Sequence, residues 1–190
     1  MANRIKIKKG LQIPLLGESD QTSRGVVTSK FVRICPEDYP GVAPKLAVKV
    51  DDTVNAGSTL FYEKNHPEMA FVAPVSGVVT RVERGEKRRI LYIEVKADNT
   101  NEYVDFGKKA VASLSPDEVK KTILDAGAWF TIRQRPYDIV ALPDKQPRDI
   151  FVTGFDSSPL APSYDYILEG QEADLQAGLD ALAKLTTAKG

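Results

Sequence analysis

The chain has 190 residues, 42% of them hydrophobic, with 26 Lys plus Arg balancing 26 Asp plus Glu. A chain of that length buries about 70% of its unfolded surface and holds a real core, and zero formal charge removes the pull toward nucleic acid or a lipid surface. One cysteine, Cys35, and one histidine, His66, exclude a disulfide, an iron–sulfur cluster and a closed zinc site, and any Ser-His-Asp or Cys-His pair could use only His66. Composition therefore describes a reduced, metal-free globular protein with little catalytic equipment. The opening MANRIKIKKG lacks a signal peptide's apolar run, and no window approaches about 18 continuous apolar residues, so no transmembrane segment is expected and the cytoplasm is the default compartment. Cys35, in FVRICP, reads as a small buried apolar residue.

In chain order, the first part is short runs rich in Val, Ile, Thr and Phe, at 5–7, 46–50, 59–62, 77–82 and 90–95. They are strand-length, and their spacing is too tight for crossover helices, so an antiparallel sandwich or barrel is predicted. The character changes near residue 105, which divides the chain into an all-β domain over 1–105 and a second domain over 106–190. Ser115-Pro116-Asp117-Glu118 is a capping box with Pro at the first helical position, and Val119, Ile123 and Leu124 continue it as an apolar stripe stopped by Gly127. Residues 150–155 (IFVTGF) predict a buried strand, followed by a turn-rich segment at 156–163. The last segment, 170–185, carries Leu175, Leu179 and Leu182 at helical spacing, and Gly178 within it hints at close packing on a neighbour. Strand, turn and helix make a βα unit awaiting its next parallel strand, so the second domain is expected to be the start of a longer α/β fold.

The most specific local pattern lies in 43–85. There Val48-x-Val50-Asp51-Asp52-x-Val54-x-x-Gly57-x-x-Leu60 precedes Ala73-Pro74-x-Ser76-Gly77-x-Val79. It resembles the barrel-sandwich hybrid of biotinyl and lipoyl carrier domains, with Gly57 and Gly77 at the corners where strands fold over. A carrier presents its modified lysine at a hairpin tip midway between those corners. The tip here reads Asn65-His66-Pro67-Glu68-Met69, and Lys64 lies before it, so a covalent biotinyl or lipoyl arm is not expected.

The opening IKIKKGLQIPLLG, the APVSGVV segment, LDAGAWFTIRQRP and IFVTGFDSSPLAP together resemble the A-subunit family of Na⁺-translocating NADH:quinone oxidoreductases, in family order and over all 190 residues. More distantly the pattern resembles the C-subunit of the Rnf electron-transport complex and the flavin-binding subunit of respiratory complex I. The resemblance implies a mixed α+β chain, a barrel-sandwich hybrid followed by the start of a Rossmann-like α/β domain. It also implies a peripheral subunit on the cytoplasmic side of the bacterial inner membrane. Such a subunit would join membrane-embedded and peripheral partners in passing electrons from NADH to quinone, coupled to Na⁺ export. FAD, FMN, riboflavin and a 2Fe-2S centre are expected in other subunits, with no independent catalysis by this chain.

The flavin-binding relatives follow the helix matching 116–126 with a glycine-rich loop whose backbone N–H groups approach the FMN phosphate. Here the matching stretch is Gly127-Ala128-Trp129-Phe130-Thr131-Ile132-Arg133-Gln134-Arg135-Pro136, where bulky side chains replace those glycines. The relatives' acidic turn has become Asp156-Ser157-Ser158-Pro159. A degenerate dehydrogenase scaffold without flavin is the expectation. Trp129 and Phe130 are candidate stacking residues for a quinone ring, with Arg133 or Arg135 at its carbonyl. The alternative makes the aromatics core residues and pairs the arginines with Asp144 or Asp149. Arg81, Arg84, Lys87, Arg88 and Arg89 surround Gly85 and read as a solvated hairpin turn or as a dock for an acidic partner face, with Lys6, Lys8 and Lys9 extending it. Without interleaved aromatics they do not suit nucleic acid. His66 reads as an exposed turn residue, and Asp51-Asp52 as a turn. A purely structural assembly module is the rival reading.

Overall fold

The computed structural model describes residues 16–17, 19–156, 158 and 160–187, so the strand expected at 5–7 and Lys6, Lys8 and Lys9 lie outside the described residues. The chain divides into two compact units, Val27–Gln146 and Met1–Val26 with Pro147–Gly190.

The unit Val27–Gln146 is built on antiparallel strands in two sheets. One sheet contains β1 (Phe31–Ile34), β3 (Thr53–Val54), β6 (Gly77–Arg84) and β7 (Ile90–Ala97), in the order β1-β7-β6-β3. The other contains β2 (Pro44–Leu46), β4 (Thr59–Glu63) and β5 (Ala70–Val72), in the order β2-β4-β5. All pairings among them are antiparallel, as the tight turn spacing requires. The predicted runs at 59–62, 77–82 and 90–95 fall on β4, β6 and β7, whereas the run at 46–50 leaves the ladder after Leu46.

Alternation on β6 buries Gly77 and Val79 and exposes Val78 between them, so one face of the sheet meets the core and the other meets water. Val79, Ile93 and Val95 from one sheet and Leu60, Phe61 and Phe71 from the other form the centre, each at most 2% exposed. Consecutive Leu60 and Phe61 are both fully buried because the β4–β5 register skips Leu60, a bulge that turns an extra residue inward. Phe61 and Phe71 stack at 4.6 Å with 5° between their planes.

Both predicted corners carry positive φ, Gly57 at +94° and Gly77 at +151°. Gly77 pairs with Val54 on one side and Ala97 on the other, so three strands converge on a residue without a side chain. The tip between β4 and β5 is organised by Glu63, a carboxylate only 4% exposed. It accepts hydrogen bonds from the Ala43 N–H at 3.2 Å and from the Asn65 N–H and Nδ2 at 3.2 and 3.0 Å. A buried carboxylate is tolerated when donors surround it in this way. Asp51, at φ +73°, and Asp52, which accepts the Lys49 N–H at 2.7 Å, form the expected turn. Cys35, expected to be buried, is only half-buried, because it stands where β1 ends and the Pro36–Asp38 turn begins.

The second unit is helical among its described residues: α2 (Tyr164–Ile167) and α3 (Glu172–Lys184). α3 covers most of the helix predicted over 170–185. The strand predicted over 150–155 is absent. Residues 151–156 carry no regular secondary structure and are exposed, with Phe151 91% and Phe155 73% exposed. A β-strand satisfies its backbone only through neighbours, and no described residue of this unit supplies one. Among the described residues nothing lies within 4 Å of where a Gly178 Cβ would stand, so none of them is the expected close neighbour.

Candidate functional site

The segment that draws functional interest begins with α1 (Pro116–Asp125). Its start is the predicted capping box: the Ser115 hydroxyl accepts the Glu118 N–H at 3.3 Å, and the Ser115 N–H donates to Glu118 Oε2 at 2.8 Å. Val119 and Leu124 bury its apolar stripe. Gly127 follows at φ +68°, and a Cβ there would stand 2.6 Å from a methyl of Val72 on β5. The helix end is thus pressed against the barrel, and only glycine permits both the left-handed turn and the approach.

The next residues fold back tightly as a 3₁₀ turn over Trp129–Thr131. The N–H groups of Gly127, Ala128, Thr131 and Ile132 donate to Leu124, Ile123, Ala128 and Trp129 carbonyls at 3.0, 3.0, 3.2 and 3.0 Å. Trp129 is 5% exposed, and its indole N–H donates to the Ala141 carbonyl at 2.7 Å. Phe130 meets the edge of Tyr39 at 5.2 Å and 74°, while Tyr39 lies 4.6 Å from Phe71. A chain of rings therefore runs from this turn into the barrel core. Burial pushes the Tyr39 hydroxyl above the usual tyrosine range, with Asp38 and Cys35 adding to the shift.

Beyond the turn, β8 (Arg133–Gln134) and β9 (Ile139–Val140) form a hairpin. Arg133 donates to the Asp138 carbonyl at 3.3 Å, and Arg135 Nη1 stands 3.9 Å from Asp138 Oδ1. The arginines thus engage Asp138, not Asp144 or Asp149. Those two carboxylates instead face their sequence neighbours Lys145 and Arg148. The hairpin is moored to the barrel side by Val140, whose N–H donates to the Pro40 carbonyl at 2.9 Å, and by Ile139, which lies against Gly41.

The other candidates fall elsewhere. The basic run closes the β6–β7 hairpin, where Gly85 donates to the Arg89 carbonyl at 2.8 Å and Lys87 and Arg88 take positive φ. Arg81 pairs with Glu83 at 2.8 Å, Arg89 pairs with Glu37, and Arg84 donates to the Arg88 carbonyl at 3.1 Å. His66 is half-buried and not exposed, because the Glu63–Met69 turn tucks it beside Glu68, 3.5 Å from its Nδ1. Asp156 accepts from Ser158, whose hydrogen bonds hold its carboxyl below the usual range, while Ser157 and Pro159 lie outside the described residues. Among the described residues no group of His, Cys, Asp and Glu could hold a metal ion, and no helix is long and apolar enough to cross a membrane.

Two family models cover nearly the whole sequence. Residues 5–98 match the NqrA N-terminal barrel-sandwich hybrid domain, and residues 114–190 match the NqrA second alpha/beta domain. The chain belongs to the NqrA family. Its relatives, each named as the A-subunit of a Na(+)-translocating NADH-quinone reductase, include that of Pseudomonas aeruginosa strain UCBPP-PA14, 36% identical over 183 residues (95% of this chain, 41% of that one). Those of Tolumonas auensis, 37% over 188 residues, and Neisseria meningitidis serogroup A, 35% over 187, each match 97% of this chain and 42% of their own length. The chain therefore spans about two fifths of the length of the NqrA relatives it matches.

The family match agrees with the expected fold class, a barrel-sandwich hybrid followed by an α/β domain. Within this NqrA chain the structure gathers Trp129 and Phe130 at one turn and places Arg133 and Arg135 on the adjoining hairpin. Tyr39, Ala141 and Asp138 complete the cluster, and sequence reasoning missed all three. Tyr39 sits in the turn-like Glu37-Asp38-Tyr39-Pro40-Gly41, where nothing local announces a ring turned toward the core.

Proposed function

We propose that this chain forms the first part of a peripheral, non-cofactor-bearing subunit of a Na⁺-translocating NADH:quinone reductase, on the cytoplasmic side of the membrane. The complex is the one its relatives are named for. The role without a flavin rests on one observation: the N–H groups of Gly127, Ala128, Thr131 and Ile132 are already engaged within the turn. A phosphate cradle needs such donors aimed outward and a backbone open to close approach. Gly127 cannot supply that approach, since its Cβ side is closed by Val72. FMN does not fit this turn, and no step of electron transfer is assigned to it. FAD, FMN, riboflavin and the 2Fe-2S centre belong, in this reading, to other subunits.

A quinone contact at the same segment is supported by the exposure of Arg133 and Arg135, which follow the half-buried Phe130 in sequence. Each guanidinium can donate to a quinone carbonyl, and Phe130 offers part of a ring. Trp129 supports the turn from within, its N–H held by Ala141. In the assembled complex, Arg133→Ala with Arg135→Ala is expected to weaken quinone-analogue affinity about 10-fold, the scale of one lost charged hydrogen bond. Titration calorimetry reads the effect. Unchanged affinity, together with lowered stability in Trp129→Ala, would leave the segment purely structural.

The β6–β7 hairpin is proposed as the dock for an acidic face of a partner subunit, through Arg81, Arg84, Lys87, Arg88 and Arg89. Contacts of this kind weaken with salt. Assembly is expected to loosen several-fold between low and physiological ionic strength, and charge-neutral variants of Lys87 and Arg88 should flatten that dependence. A salt slope identical in the variants would dismiss the dock.

A further inference from the structure

Strand β1 is the outer strand of its sheet, with β7 on one side and no described strand on the other. Its register with β7 fixes which backbone groups are engaged. The Ala97 N–H donates to the Lys30 carbonyl at 2.9 Å, one step before the Phe31–Lys96 pair. Antiparallel pairing alternates, so Val32 and Ile34 also turn their N–H and C=O toward β7, while Phe31 and Arg33 turn theirs to the free edge. Among the described residues no hydrogen bond ends on those four outward groups. An edge of this kind is a template for another strand.

The side chains of the same two residues define what an added strand would carry. Phe31 is 51% exposed, and with Arg33 and Glu94 it lines an open hollow on the outer face of the sheet. Glu94 Oε2 accepts the Arg33 Nε–H at 2.8 Å, and the guanidinium lies 4.6 Å over the Tyr92 ring. Arg33 is thus held in place with its terminal N–H groups left to donate. Just beyond the end of β1, Glu37 pairs with Arg89, which brings the basic β6–β7 hairpin to that end of the edge. Residues 30–38 and 77–97 carry eight Lys and Arg against five Asp and Glu, in a chain whose charges balance as a whole. A cationic edge disfavours a second copy of itself and attracts an anionic strand.

We infer that the free edge of β1 takes an extended acidic segment of a partner subunit as an added strand. Its main chain bonds to Phe31 and Arg33, a carboxylate stands beside Arg33, and an apolar side chain covers Phe31. The inference rests on the dock proposed for the β6–β7 hairpin and gives that dock its register: the hairpin draws the segment in by charge, and β1 fixes where it pairs.

Hydrogen exchange at single-amide resolution tests this on the subunit, free and in the assembled complex. In the free subunit the amides of Val32 and Ile34 are protected and those of Phe31 and Arg33 are not. In the complex Phe31 and Arg33 are expected to gain at least about 30-fold protection. Two variants separate backbone from side chain. Arg33→Ala removes the guanidinium and keeps the N–H, whereas Arg33→Pro removes both and spares every bond to β7, because that N–H faces outward. Proline is expected to weaken binding to the rest of the complex about 3- to 10-fold beyond alanine, the scale of one lost main-chain hydrogen bond, with β6 and β7 equally protected in both variants. Equal weakening by the two variants would overturn strand addition, as would Phe31 and Arg33 amides that exchange alike in both states. A salt dependence still flattened by the Lys87 and Arg88 variants would then leave the dock standing without the strand. Protection of Phe31 and Arg33 in the free subunit that rises with its concentration would also overturn the inference, and would mark a second copy.

Discussion

Phe61→Ala is expected to lower the unfolding free energy by about 3–5 kcal/mol, the range for deleting a large aromatic from a packed interior. Phe61 is fully buried, stacks on Phe71 at 4.6 Å, and has Tyr39 at 6.0 Å. It stands beside the bulge that turns Leu60 inward, so the surrounding strands have little freedom to collapse into the space left behind. The loss also travels. Tyr39 touches Phe71 on one side and Phe130 on the other, so loosening the barrel rings loosens the turn at Trp129. Urea denaturation followed by far-UV circular dichroism measures the first effect. The single tryptophan reports the second, as a red shift of its emission in the native variant. A stability change below about 1 kcal/mol would mean that the ring cluster does not carry the core.

The second large effect is expected at Gly77. A Cβ there would stand 2.0 Å from the Lys96 carbonyl oxygen, at φ +151°, and the atom it meets is backbone held in the β6–β7 ladder. Nothing flexible can move aside, and the same residue pairs with Val54, so Gly77→Ala must open one of two strand pairings. We expect a loss of about 3 kcal/mol or more. Gly107→Ala separates clash from conformational strain. Gly107 has φ +75° but nothing within 4 Å of its Cβ position, so it should lose only about 1 kcal/mol. Equal losses in the two variants, measured by thermal and urea unfolding, would show that steric closure at the corner is not the cause.

Part of this molecule is legible from local patterns because local physics decides it. The cap at Ser115 needs only a hydroxyl, a carboxylate three residues later and a proline between them, and the structure has both hydrogen bonds. Gly57 and Gly77 advertise corners because positive φ is a property of one residue. The barrel strands follow from short β-branched runs separated by turns. Other features depend on distant partners. Arg133 and Arg135 find Asp138 within the four-residue turn between β8 and β9, and the hairpin's register, absent from the charge pattern, decides that choice over Asp144. His66 is half-buried because Glu63 draws the tip over itself through Ala43 and Asn65.

What the amino-acid order determined by itself is the inventory. One cysteine and one histidine leave no disulfide and no closed metal centre built from this chain's own Cys and His, and Trp129 and Phe130 make the stretch after Gly127 bulky and aromatic. Those facts hold whatever the fold. Only the tertiary structure decided how these rings are used: Trp129 turns its N–H to Ala141, Phe130 joins Tyr39, and the turn's backbone donors close on themselves. The same limit explains residues 150–155. Their composition states a preference for a strand, but a strand is a relation between segments, and its hydrogen bonds exist only where another strand is present to accept them.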